Sequence, residues 1–133
     1  MKLSLVQPNF RQGGSAFSGY WLPYSVGCVY SYSAQSPEFK DKLELNKVIF
    51  RREKIEWASE DMANDDIVLF SCYMWNWEYN KALAKILKEK SPDVKIVFGG
   101  PQVTEFRNAE QIDQLPYVDT FIISEGELSV HQY

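Results

Sequence analysis

Residues 67–100 read IVLFSCYMWNWEYNKALAKILKEKSPDVKIVFGG, and they carry the strongest structural signal in the chain. The stretch begins with four apolar residues in a row, which is typical of a strand covered on both faces. A helix is predicted from Asn76, a residue type that favours the N-cap, to Lys90, because apolar residues recur at helical spacing until a proline follows. A second apolar strand, at residues 94–98, ends at Gly99-Gly100. Strand, helix and strand in this order predict a parallel βαβ unit.

The same alternation extends in both directions. Further strands are predicted at residues 3–7, 45–50 and 120–123, and helices at 23–34 and 105–115. Residues 55–66 predict a short helix followed by a polar turn, and residues 9–19 a glycine-rich loop. Strands separated by helices predict an α/β protein with a parallel sheet covered on both faces, and right-handed crossovers then make this sheet doubly wound. We expect a flavodoxin-like (Rossmann-type), doubly wound, mainly parallel five-stranded sheet in a single domain that spans residues 1–133.

Composition and charge exclude several classes of function. The net charge is −4 and the one basic cluster, at residues 51–54, is interrupted by Glu53, so no nucleic-acid binding is expected. No apolar run approaches the roughly 20 residues that a membrane span requires. Cys28 and Cys72 make no disulfide framework, so a cytoplasmic location is expected. Aromatic residues make up 15% of the chain, which indicates a ring-rich core or a surface for a flat ligand or a partner.

Residues just beyond the predicted strands are the candidate binding residues, because ligands of doubly wound sheets bind outside the carboxyl ends of the strands. These candidates are Asn9, Ser71, Tyr73, Trp75, Gly99, Gly100, Pro101, Gln102, Glu125, Gly126 and Glu127. The two glutamates have the chemistry of an acid–base pair or of metal ligands. No histidine or cysteine stands nearby in sequence to complete a ligand set, so neither catalytic nor metal-binding residues are predicted.

Four of these turns, taken together, resemble a known family. Ser71-x-Tyr73 after the third predicted strand, Gly99-Gly100-Pro101 after the fourth and Glu125-Gly126-Glu127 after the fifth look like the cobalamin-binding domain of radical S-adenosylmethionine enzymes. The anaerobic magnesium-protoporphyrin ester cyclases belong to that group. Gln7-Pro8-Asn9 is similar to the opening Pro-Asn turn of the family, and the resemblance covers nearly the whole chain. It implies a module that binds a corrinoid, cobalamin, for a radical catalytic domain in cis or in trans and is not an enzyme on its own.

The resemblance implies roles for the glycines and for the strand-end serine. Gly99-Gly100 would let the backbone approach the flat corrin ring, and a plain strand-to-loop turn is the alternative. On the first interpretation, a larger residue at Gly100 would block the corrinoid and leave the fold intact. Ser71 would hydrogen-bond the nucleotide tail of the cofactor, or alternatively its own backbone.

The resemblance also implies a rim around the cofactor. Tyr73 and Trp75 would line the corrin or receive a second domain. The turn at residues 125–127 would belong to the same rim, and a solvated turn that caps the next helix is the alternative.

Three departures from the family pattern carry further expectations. Cobalamin domains with an axial histidine have Asp-x-His-x-x-Gly after the first strand, whereas residues 7–13 here read QPNFRQG, with Asn9 in place of the histidine. The one histidine is His131, so cobalamin would be bound without a histidine ligand from this chain. The Cys-x-x-x-Cys-x-x-Cys motif is absent, so no iron–sulfur cluster is expected. The last helix of the fold is expected to be truncated, which would leave a sheet face open to self-association.

Two other functions fit the same fold. A flavin-binding carrier needs a glycine- and hydroxyl-rich phosphate loop that runs straight into a helix, but Phe17, Tyr20 and Trp21 crowd the candidate loop. The other alternative is a cofactor-free interaction or regulatory domain whose aromatic rim binds a partner protein. The motifs of nucleotide-hydrolysing and dinucleotide-binding loops are absent.

Overall fold

A five-stranded sheet organises the residues that the computed structural model describes, which are residues 1–13, 19–103, 109–123 and 126. The strands are β1 (Lys2–Val6), β2 (Arg11–Gln12), β3 (Gly19–Tyr20), β4 (Glu44–Ile49), β5 (Ile67–Ser71), β6 (Lys95–Gly99) and β7 (Thr120–Ile122). β2 and β3 pair with each other outside the five-stranded sheet. The helices are α1 (Tyr24–Gln35), α2 (Ile55–Asp61), α3 (Trp77–Lys90) and α4 (Ala109–Asp113). The sheet has the order β4-β1-β5-β6-β7 with every pair parallel, so the predicted fold class is confirmed.

β5 is the central strand and sets the register of its neighbours. It pairs with β1 on one side and with β6 on the other, and all five of its residues are buried. Pairing with β6 places Ser71 opposite Gly99, and pairing of β6 with β7 places Gly99 opposite Ile122. The strand order reverses between β1 and β5, so a binding crevice is expected at the carboxyl ends of these strands.

Helices cover both faces of the sheet, as the continuous apolar strands predict. On the α1 face, Leu69 and Val97 of the strands pack in one cluster with Val26 of α1. On the α3 face, the rings of Phe70 and Phe98 lie 5.0 Å apart within the larger apolar cluster that α2 and α3 complete. The site at the strand ends therefore stands on a core that is packed from both sides.

Several predicted elements have different limits in the structure. The predicted loop at 9–19 contains the antiparallel pair β2 and β3, and residues 14–18 lie outside the described residues. The short helix predicted within 55–66 is α2, which ends at Asp61 before the predicted turn, and residues 105–108 of the helix predicted at 105–115 are not described. Of the helices in the described part of the chain, none combines the length and the apolar character needed to cross a bilayer.

Gly100 lies where the chain leaving β6 crosses the chain leaving β5. Its φ is +99°, and a Cβ added there would stand 2.8 Å from the carbonyl oxygen and 2.9 Å from the nitrogen of Cys72. Hydrogen bonds fix the crossing, since the Cys72 amide donates to the Gly99 carbonyl at 2.7 Å and the Gln102 amide donates to the Cys72 carbonyl at 3.0 Å. A larger residue at Gly100 would therefore strain this crossing, so the expected loss of the corrinoid would be accompanied by a loss of stability.

Gly100→Ala is expected to lower the free energy of unfolding by about 1–3 kcal/mol, because the new side chain meets the Cys72 backbone in an unfavourable conformation. Gly27→Ala is the matched control. A Cβ at Gly27, within α1, would meet none of the described atoms within 4 Å, so alanine should raise the free energy of unfolding by about 0.5–1 kcal/mol. Chemical denaturation followed by circular dichroism measures both changes. A Gly100→Ala protein as stable as the parent would contradict the crossing.

Candidate functional site

A cavity of about 300 Å³ lies between α1 and the carboxyl ends of β5, β6 and β7. One wall belongs to the sheet and the other to the first turns of α1. The sheet supplies Leu69, Ser71, Val97, Gly99 and Ile122, and the helix supplies Tyr24, Ser25, Val26, Cys28 and Val29. The lining is mainly apolar with few polar atoms, which suits a flat or apolar group that carries a small number of hydrogen-bonding atoms.

Ser71 and Gly99 form the sheet side of the cavity at the strand ends. Each stands two residues beyond a strand residue that faces α1, Leu69 or Val97, and side chains alternate between the two faces of a strand. A Cβ added at Gly99 would lie 3.6 Å from the Cβ of Ile122, which is an ordinary contact. The missing side chain of Gly99 therefore opens space in the cavity, whereas that of Gly100 allows two backbones to cross.

The hydroxyl of Ser71 is available to a ligand. Ser71 is only 5% exposed, and its carbonyl accepts hydrogen bonds from the side-chain amides of Asn76 at 3.0 Å and Asn80 at 3.3 Å. Its Oγ faces the cavity and has no hydrogen-bond partner among the described residues. The alternative prediction, that this hydroxyl bonds its own backbone, is not observed. A hydroxyl that opens onto a cavity and bonds no protein atom can donate to or accept from a bound ligand.

Tyr73 and Trp75 present a fixed pair of rings at the same edge. Their ring centroids are 4.5 Å apart with an interplanar angle of 12°, and the Tyr73 hydroxyl lies 2.7 Å from the Ser25 hydroxyl. Trp75 stands outside the cavity lining. An edge contact to Phe10, with centroids 5.5 Å apart, and a hydrogen bond from its Nε1 to Asn9 Oδ1 at 3.3 Å hold it there. Stacked rings of this kind offer a flat, amphipathic surface.

Asn9 joins three loops. It is 6% exposed, and its Nδ2 donates to the carbonyls of Trp21 at 3.0 Å and Leu22 at 3.2 Å while its Oδ1 accepts from Trp75. The amide is thus engaged by the protein at both its donor and its acceptor atoms. Asn9 lies at the edge where it was predicted, and its contact with a ligand stays a prediction.

Asn76 and Asn80 support the site and were not predicted to do so. Asn76 stands at the start of α3, but its side chain does not cap the helix. Its Oδ1 accepts from the Tyr73 amide at 2.8 Å, and its Nδ2 donates to the carbonyls of Pro8 at 3.2 Å and Ser71 at 3.0 Å. Both asparagines are fully buried. Their spacing could have predicted this role, because two asparagines four residues apart lie on the same, otherwise apolar, helix face and buried amides need hydrogen-bond partners.

The remaining predicted residues divide between the cavity and its surroundings. Pro101 is exposed and lines the cavity, and Gly126 lines it beside Val29, whose Cγ2 would be 3.3 Å from an added Cβ. Gln102 is half-buried and contacts the site through its backbone amide. Glu125 and Glu127 lie outside the described residues. Sequence reasoning gave the α1 wall no role, although its small residues predict a close approach to the sheet.

Titratable and metal-ligating groups are scarce around the cavity. Cys28 lines it and is half-buried, whereas Cys72 is fully buried in the cluster of the α3 face, where burial raises the pKa of its thiol to about 12. Both cysteines are free. Within the described ranges, no three His, Cys, Asp or Glu side chains are grouped so that they could hold a metal ion. The geometry favours binding through shape and a few hydrogen bonds.

Comparison with known proteins agrees with this geometry. Residues 43–132 match the family model described as B12 binding domain. The chain is 28% identical over 112 residues to the cobalamin-dependent radical SAM methyltransferase TokK of Streptomyces tokunonensis, covering 84% of this chain and 16% of that protein. It is 27% identical over 112 residues to the 2-(S-pantetheinyl)-carbapenam-3-carboxylate methyltransferase of Streptantibioticus cattleyicolor, with the same coverage.

A third relative is the anaerobic magnesium-protoporphyrin IX monomethyl ester cyclase of Rubrivivax gelatinosus, 27% identical over 134 residues, 96% of this chain and 23% of the cyclase. The chain therefore spans between 16% and 23% of the length of these curated relatives. Because the family match extends over most of the sequence, at residues 43–132, the chain belongs to the B12-binding domain family, as the resemblance of its strand-end turns predicted.

Proposed function

We propose that this chain binds a cobalamin whose nucleotide tail occupies the cavity between α1 and the ends of β5, β6 and β7. The observation that carries the proposal is Ser71, a largely buried residue that lines the cavity and whose hydroxyl has no hydrogen-bond partner among the described residues. Gly99 beside it leaves room for a flat heteroaromatic base. An apolar slot with one unused hydroxyl matches a group that carries a few polar ring atoms.

The corrin ring would then lie across the strand ends, outside the cavity. Tyr73 and Trp75 already form a stacked surface there, and Pro101 is exposed next to them. The turn at residues 125–127 is proposed as part of the same rim, with Gly126 as its member inside the cavity. When bound, cobalamin supplies the cobalt chemistry, and the residues of this chain hold and orient the ring.

Catalysis is assigned to a separate radical S-adenosylmethionine domain, in cis or in trans. A three-thiolate cluster motif is absent from a chain whose two cysteines are Cys28 and Cys72, and Cys72 is buried and protonated in the core. Two free cysteines also support the cytoplasmic location expected from the sequence. Self-association stays a prediction, to be tested by light scattering.

A cofactor-free interaction domain is the second candidate. It is favoured by Trp21, Leu22 and Tyr24, which are 55%, 79% and 76% exposed at the same edge of the molecule. Apolar residues exposed in a row are typical of an interface with another protein. The two candidates make opposite predictions for corrinoid retention.

The protein mixed with hydroxocobalamin and desalted is expected to retain about one corrinoid per chain, as measured by its visible absorbance.

Protection of Cys28 from alkylation tests where the ligand binds. The Cys28 thiol lines the proposed tail cavity, whereas Cys72 is buried with a pKa of about 12. Saturating methylcobalamin should slow alkylation of Cys28 by iodoacetamide at least about tenfold, as expected for a site that is occupied most of the time. Methylcobinamide, which lacks the nucleotide, should slow it far less.

A Cys28→Ser variant controls the assignment of the alkylation signal. Loss of colour on desalting would support the cofactor-free interaction domain. Retention of colour with an unprotected Cys28 would place the corrinoid elsewhere on the molecule.

Ser71→Ala should weaken cobalamin binding by about three- to tenfold, the effect of one net hydrogen bond, and should leave stability unchanged because the hydroxyl bonds no described residue. Ser33→Ala is the matched control. Its hydroxyl likewise has no described partner, but it is buried and lines a different cavity, near the amino ends of the strands. Titration of methylcobalamin by tryptophan fluorescence measures both. Equal affinities for the Ser71→Ala protein and the parent would remove Ser71 from the site.

Bound cob(II)alamin is expected to show cobalt hyperfine lines without the triplet splitting that an axial nitrogen produces in its electron paramagnetic resonance spectrum. Asn9 stands in place of the family's axial histidine, and its amide is engaged by Trp21, Leu22 and Trp75. Free cob(II)alamin, which carries its own axial nitrogen, is the control. A triplet that disappears in His131→Ala would show instead that the one histidine of the chain ligates cobalt.

A further inference from the structure

The Tyr73–Ser25 hydrogen bond connects the two walls of the cavity at the strand ends. The hydroxyls are 2.7 Å apart although the residues are 48 positions apart in sequence. Tyr73 stands in the loop after β5 and Ser25 in the first turn of α1, and both line the cavity. The bond therefore spans the space between the sheet side and the helix side of the cavity.

The α1 side of this bond is fixed. The Val26 amide, next to Ser25, donates to Gln7 Oε1 at 3.2 Å and so ties the first turn of α1 to the end of β1. The Asn9 amide holds the segment before the helix through the carbonyls of Trp21 and Leu22. Opening the bond by moving the helix would break these contacts as well.

The Tyr73 side of the bond can open through its side chain alone. Its backbone amide stays with Asn76 Oδ1 at 2.8 Å, whereas its ring is held by the stack on Trp75 and by the bond to Ser25. Rotation of one half-buried side chain is faster and less disruptive than displacement of a helix. The closed bond also leaves a cavity of about 300 Å³, so the bond and an occupant of the cavity are compatible.

We propose that the Tyr73–Ser25 hydrogen bond is a latch across the mouth of the cavity, which opens for the nucleotide tail of a corrinoid to enter and closes again over it. The proposal rests on the proposed function and adds to it a control of entry and exit. The latch selects by the presence of the tail, because a corrinoid without a nucleotide does not pass between the two walls.

Stopped-flow tryptophan fluorescence with methylcobalamin and with methylcobinamide tests the latch. Tyr73→Phe keeps the ring and Ser25→Ala keeps the helix, while each removes the bond. Each variant should raise both the association and the dissociation rate constant of methylcobalamin by about three- to tenfold, the factor of one net hydrogen bond. The rate constants of methylcobinamide should stay at the parent values. The double variant should match either single variant, since both remove the same interaction.

Tyr20→Phe is the control for loss of a tyrosine hydroxyl, because this ring contacts Phe50 outside the cavity. A changed dissociation constant with an unchanged association rate would overturn the latch and make Tyr73 a direct ligand contact. Equal acceleration of both corrinoids, or of neither, would also overturn it. If the parent binds neither corrinoid, the proposed function and the latch fail together, whereas binding of both with unaltered rates in the variants removes the latch alone.

Discussion

The close approach of Gly100 to the backbone of Cys72 determines the geometry of the strand ends. The two chain segments can cross at this distance only because no Cβ stands between them, and three amide-to-carbonyl hydrogen bonds made by Cys72, Gln102 and Val103 then lock the crossing. The crossing fixes the directions in which the loops after β5 and β6 leave the sheet. It therefore helps to set the position of Ser71 relative to the far wall of the cavity, which Gly100 also lines.

The side-chain amides of buried asparagines connect the loops at the strand ends to one another. Asn76 binds the loop after β5 to the turn after β1, and Asn9 binds that turn to the segment before α1. Every such bond satisfies a backbone group that leaves a strand or precedes a helix, where regular secondary structure offers no partner. The same groups explain why the aromatic edge is ordered although much of it faces solvent. Trp75 is held on three sides, by Phe10, by Asn9 and by Arg52, whose guanidinium donates to its carbonyl.

The spacing of apolar residues predicts the sheet and most of its helices, because burial of one or both faces of an element requires apolar residues at regular positions in the sequence. The apolar run of β5 and the helical spacing of apolar residues in α3 are examples. The pairing register of β5 and β6 then brings Ser71 and Gly99 together. The sequence does not show that Gly99 opens space in the cavity while Gly100 allows two backbones to cross. This difference depends on the contact between Gly100 and Cys72, which are far apart in sequence. The α1 wall was missed for a related reason. The small residues of α1 predict a close approach to the sheet, but they do not show that Tyr24, Ser25 and Cys28 lie over the ends of β5 and β6.

The chemistry of the cavity agrees with a module that holds a cofactor and leaves reactivity to it. Among its described lining residues the titratable side chains are two tyrosines and Cys28, and there is no carboxylate, imidazole or ammonium to move a proton at neutral pH. Charges at such a depth would need partners, and a nucleotide base would have to displace them. An apolar cavity whose few polar groups are hydroxyls, such as those of Ser71 and Tyr73, instead binds a ligand by shape. Such a cavity does not change the charge or the protonation of the group that it holds. The exposed residues Trp21, Leu22 and Tyr24 stand in the segment that Asn9 ties to Trp75, so the proposed corrin surface and the exposed apolar residues belong to one edge of the molecule.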